Sequence, residues 1–226
     1  MTGLTRSPRT LRGAIVAMDS ANNRTNVVAF QYNPDEMSRG LRARSATDAG
    51  GTTQGARNEA LRLSGAPVET ITLTVSIDAA DQLAAGDPLA TRVGIYPQLS
   101  GLEILLYPKS STVTTNAALA AAGSIELVPP EAPLTLLVWG VRRVVPVRLT
   151  EFSITEEAYD PDLNPIRARV QLGLRVLSYS DLVPSNLGYH LFVAHQVAKE
   201  VLAAQNTAAA VRSAGASINT SLPAGV

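Results

Sequence analysis

The 226-residue chain has no cysteine, so neither a disulfide nor a thiolate metal site can hold it together. It also has no net charge, because 19 Lys and Arg residues balance 19 Asp and Glu. That balance argues against nucleic-acid binding through bulk positive charge. No window approaches the roughly 20 apolar residues of a membrane span. The apolar stretch within "MTGLTRSPRTLRGAIVAMDS" is too short for the core of a secretory signal and has no small-residue cleavage site. The expectation is therefore a cytoplasmic chain without a membrane span.

Chemistry-bearing patterns are equally scarce. His190 and His195 are the two histidines. Five residues apart on a helix, they point roughly 140° apart and cannot share a metal as an i, i+4 pair would. There is no Gly-rich phosphate loop, no Gly-x-Gly-x-x-Gly after a strand and no Gly-x-Ser-x-Gly elbow. Asp160-Pro161-Asp162-Leu163-Asn164 begins like a calcium loop, but Pro165 replaces the sixth-position Gly and Gln171 the twelfth-position Glu. It reads instead as an Asp/Asn/Pro turn. Glu156, Glu157, Asp160 and Asp162 read as a solvated acidic hairpin tip, and Trp139 as a core residue. The expectation is no catalytic residue, no metal and no cofactor.

What is present is strand and helix periodicity. Val27 to Tyr32 is apolar and ends at the turn pair Asn33-Pro34, followed by a Gly/Ser/Thr/Ala-rich loop from Arg44 to Pro67. Ile71, Leu73, Val75 and Ile77 alternate with Thr and Ser as in a half-buried strand. The stretch from Leu89 to Pro108 has helical spacing, with a kink or break expected at Pro97 and Gly101. Lys109 to Pro133 reads as a projecting loop, and "LTLLVWG" as a buried strand. The strand through "VPVRLTEFSITEEAY" changes register at Thr150 and Glu151, which predicts a β-bulge. It forms a long hairpin with the segment after Pro165. Leu187, Leu191, Ala194, Ala198 and Val201 then form one apolar helical stripe. Beyond it, from Gln205 to Val226, the chain has too few large apolar groups to order itself.

The second hairpin strand poses the functional question. Ile166, Ala168, Val170, Leu172, Leu174 and Val176 occupy one side; Arg167, Arg169, Gln171, Gly173 and Arg175 occupy the other. Alternate side chains point to opposite faces, so the strand has a dry face and a basic one. Replacing the three arginines is expected to leave the fold intact.

Several segments in order resemble the tube-like baseplate proteins of contractile injection systems, which are phage-tail-like particles. They are "FQYNPDEM", "GIYPQLSGLEILLYP", "PLTLLVWG" and "EEAYDPDLNPIRARVQLGLRVLSY", within roughly residues 12 to 180. The family's Phe-x-x-Asn-Pro turn, Trp-Gly strand and Pro-x-Arg-Ala segment match Phe30, Asn33, Pro34, Trp139, Gly140, Pro165, Arg167 and Ala168. Two features depart from the family. A helix and an Ala-rich tail stand where many members carry a LysM-type module, and Leu163-Asn164 stands where the turn usually has Gly. The second is expected to matter little, since Asn tolerates turn geometry.

The resemblance implies a mainly β (α+β) fold: a tube-protein-like antiparallel β-barrel or sandwich with one packed helix and a C-terminal helical extension. It divides the chain into residues 1–180, the tube-like domain, and 181–226, the helix and tail. It implies a non-enzymatic subunit in a hexameric ring at the inner tube/baseplate junction, partnered by itself, the inner tube protein, the spike and other baseplate subunits. The particle forms in the cytoplasm and can leave the cell. Arg167, Arg169, Gln171 and Arg175 would then face the lumen or a neighbouring subunit. The stripe of Leu187, Leu191, Ala194, Ala198 and Val201 would dock on a partner. Two alternatives stay open: an ordinary tube layer or terminator, and a small ligand- or metal-dependent β-barrel enzyme.

Overall fold

A computed structural model describes residues 12–19, 24–30, 33–44, 64–123 and 132–214. Most of the loop expected between Arg44 and Pro67, and the tail beyond Ala214, lie outside the described residues. Among the described residues, seven strands form one antiparallel sheet. They are β1 (Ala14–Asp19), β2 (Arg24–Ala29), β3 (Met37–Arg42), β4 (Val68–Asp78), β5 (Leu134–Val138), β6 (Val144–Tyr159) and β7 (Pro165–Val176). The order β2-β1-β5-β6-β7-β4-β3 leaves β2 and β3 as the two edges. The mainly β, α+β class is as expected, and the sheet of the single chain is open.

Side-chain alternation explains which side is covered. On β4, Ile71, Leu73, Val75 and Ile77 are buried while Thr70, Thr72, Thr74 and Ser76 are exposed. On β7, Ala168, Val170, Leu172, Leu174 and Val176 join them in one core cluster. The expected bulge is present: Leu149 pairs with Leu174 but Glu151 with Gly173, so Thr150 is the extra residue. Gly173 suits this position because a Cβ there would lie 2.7 Å from that of Glu151.

Helices α1 (Ala80–Ala84), α2 (Pro88–Val93) and α3 (Tyr96–Glu103) follow β4. Asp87 caps α2 by accepting from the Leu89 and Ala90 amides, with Pro88 just inside the helix. The break expected at Pro97 and Gly101 falls instead at Gly94 and Ile95. Pro97 sits in the first turn of α3, where its missing N–H has no helical partner to lose. Gly101 lies within α3 and lets Asn26 of β2 approach, with Nδ2 donating to its carbonyl at 2.8 Å. Leu99 and Leu102 carry α3 into the core.

Two expectations about the Ala-rich stretches are corrected. Ser110–Ala121, expected within a loop, is helix α4. Helix α5 runs from Leu187 to Ala214, well past Gln205. In both, alanines at 117–118, 120–121, 203–204 and 208–210 supply the highest helix propensity of any residue. Large apolar groups are needed to bury a helix, but not to continue one.

Candidate functional site

The exposed side of β3, β4, β7 and β6 is a continuous polar surface. Neighbouring strands register Thr72 with Ser38 and Gly173, Thr74 with Gln171, and Ser76 with Arg169. Across β6, Ser153 stands opposite Gln171 and Thr155 opposite Arg169. Arg167, Arg169, Gln171 and Arg175 all lie on this face, as the alternation predicts. Their charge is not bare. Arg167 Nε bonds Asp78 Oδ2 at 2.7 Å, and a terminal nitrogen of Arg169 lies 3.0 Å from Glu157. Arg175 and Arg44 both reach Asp181 Oδ1 at 2.9 Å.

Asp78 and Asp181 are tied in turn to main chain. Burial alone would raise the Asp181 carboxyl, but donors from the Ser178 amide and hydroxyl, together with Arg44, hold it below its ordinary value. Asp78 is lowered in the same way against burial, by the Ala80 amide and Arg167. The surface is therefore a patterned mosaic of paired charges rather than a bare basic stripe.

The turn residues have separate tasks. Asn33 Oδ1 accepts from the Gly13 amide at 2.8 Å, anchoring the chain just before β1. Asn33 and Pro34 also border an open groove of ≈ 600 Å³ with Ser38, Thr72, Thr74 and Arg169, so the first motif meets the polar face. Asp160 accepts from the Asp162 and Asn164 amides and from Asn164 Nδ2, each at 2.8 Å. The turn thus spends its oxygens on itself, and the Asn164 donors hold the Asp160 carboxyl low. The residue in the left-handed region is Leu163, at φ 64°, not Asn164. The tolerance of Asn therefore does not explain the missing glycine. Pro165 is buried, and its carbonyl accepts from the Ile95 amide at 2.8 Å. Of the expected acidic tip, Glu157 pairs with Arg169 and Asp160 closes the turn, so neither is simply solvated.

Helix α5 packs on the sheet with a side other than the stripe expected to dock on a partner. Leu187, Ala194, Ala198 and Val201 are exposed and Leu191 is half-buried. The side facing the sheet carries Gly188 and Phe192, followed by half-buried His195 and Lys199. Phe192 enters the core cluster and meets Tyr179 edge-on at 5.9 Å. Between the stripe and the β5–β6 turn runs a shallow apolar groove of ≈ 460 Å³, lined by Val141, Val144, Leu191, Ala194, Ala198 and Val201 among others. Sequence reasoning missed a second cluster. Glu69 of β4 is buried, and Arg39 of β3 and Lys199 of α5 both pair with it, Lys199 at 3.5 Å. Only a charged residue at an inward position of β4 hinted at it.

No family model matches the chain, and no curated protein does. Among solved structures it is similar to a chain described as "Tail of empty GTA particle computed with helical refinement, C6 symmetry". The alignment covers 73% of this chain and 90% of that one, at 10% identity and a TM-score of 0.28. Those values fall short of showing a shared fold. Among the described residues, no group of three or more His, Cys, Asp or Glu is placed to hold a metal ion. No described helix is long and apolar enough to cross a membrane.

Proposed function

We propose that the chain is a non-enzymatic structural subunit of a contractile injection particle. In this reading six copies form a ring at the inner tube/baseplate junction that joins the tube to the spike complex. The observation that carries it is the sheet itself: one face is a dry core, the other, across β3, β4, β7 and the later half of β6, is a field of Thr, Ser, Gln and ion-paired Arg, and among the described residues no strand pairs with either edge. Unpaired edges invite pairing with another chain, and a head-to-tail contact repeated about an axis closes a ring. A polar wall with paired charges gives passing cargo little apolar surface to adhere to. Residues 1–180 would form the wall and 181–226 the adaptor element. The exposed stripe of Leu187, Leu191, Ala194, Ala198 and Val201 would be offered to a neighbouring subunit, the inner tube protein or the spike side. Assembly would take place in the cytoplasm before any release of the particle.

The triple variant Arg167→Gln, Arg169→Gln, Arg175→Gln tests the role of the wall. Each ion pair is partly exposed, and such pairs contribute about 0–1 kcal/mol. Circular dichroism should show a folded chain with a modestly lower melting temperature, while ring assembly or cargo passage is impaired. A variant that assembles and functions like the parent removes the polar face from the account.

A further inference from the structure

The Glu69 cluster lies beneath α5, where polar groups must be matched if the helix is to stay down. His195 faces it from α5, half-buried, with its ring bonded to the Arg142 main chain and Nδ1 buried without a partner among the described residues. The charged groups that act on it are Lys199 one turn along α5, Glu69 from β4, and Arg143 from the β5–β6 turn. Arg39 of β3 joins through its ion pair with Glu69 and also lies near Arg143. Three cations thus already surround one buried carboxylate.

We propose that the second half of α5 is a proton-released strap: protonation of His195 adds a fourth cation around Glu69 and loosens the helix from His195 onward, while Phe192 stays in the core. Burial first, and then Lys199, hold the imidazole below its ordinary value, while the Arg142 bond and Glu69 act weakly the other way. The undocked helix therefore binds the proton more readily. Docking is complete above the ordinary imidazole value of about 6.5 and weakens as pH falls below it. Neutral His195 needs only the Arg142 bond to remain docked; the imidazolium would need a second acceptor at Nδ1, and among the described residues none is bonded there. This concerns the isolated chain and does not depend on ring formation.

The absence of native cysteine makes the test direct. Spin labels on Val141→Cys and Gln205→Cys, both bordering the groove, report the distance between α5 and the β5–β6 turn. At about pH 8 a single short distance is expected; at about pH 5.5 a longer component should grow severalfold. In the same labelled chain, His195→Gln should keep the short distance at both pH values, and His195→Lys should show the long one at both. Circular dichroism confirms that each variant is folded; if His195→Lys is not, the parent and His195→Gln comparison decides alone. An unchanged parent distance, or an equal response in His195→Gln, overturns the proposal.

Discussion

Gly94→Ala should destabilise the protein by about 3 kcal/mol or more, or prevent it from folding, because two independent penalties fall on one atom. Gly94 ends α2 at φ 57° and ψ −134°, a combination open to glycine and strained for any residue with a Cβ. An added Cβ would also lie 2.1 Å from the carbonyl oxygen of Pro165, which is main chain and cannot rotate away. That carbonyl receives the Ile95 amide, the bond that ties the start of α3 to β7. The substitution would push α3, with buried Leu99 and Leu102, away from the sheet. Thermal or urea unfolding followed by circular dichroism measures the loss. A variant within about 0.5 kcal/mol of the parent, the range of ordinary surface changes, would show that α3 does not seat on Pro165 in this way.

Phe192→Ala should cost about 3–5 kcal/mol, the usual range for removing a buried Phe. Phe192 is 8% exposed, belongs to the same cluster as β4 and β7, and has Tyr179 against its edge. The neighbouring Leu191→Ala is the control. Leu191 lies on the groove side, about 100° round the helix, and should cost clearly less in the isolated chain. Equal losses in the two variants would mean that α5 packs on its sequence stripe after all. A large Phe192 effect also bears on truncation: deleting residues 185 to 226 takes a core side chain with it and should destabilise the remaining sheet.

The sheet was legible wherever both faces left a mark on the sequence. β4, β7 and the β6 bulge follow from alternation between Ile, Leu or Val and polar residues, and β5 from its apolar run. β3 left no such mark: Met37–Arg42 is an edge strand with almost every residue exposed, so no apolar alternation appears in it. β1 is too short and too Ala-rich to separate from a helix by periodicity. The α5 stripe was legible as an apolar side, but apolar spacing does not say which side the domain itself covers, and the single Phe192 that enters the core left no periodic mark. The arginine face was found, but its ion pairs were not. Asp78 and Asp181 lie 89 and 6 residues from Arg167 and Arg175, and only strand register and the turn after β7 bring them together.

Imaging of the assembled particle tests the central claim most directly. The account predicts a closed ring of six copies at the tube–baseplate junction, with Thr72, Thr74, Arg169 and Gln171 towards the lumen and edges β2 and β3 of adjacent copies brought together. A closed dimer, or a ring whose lumen is lined by the α5 side of the sheet, would contradict it.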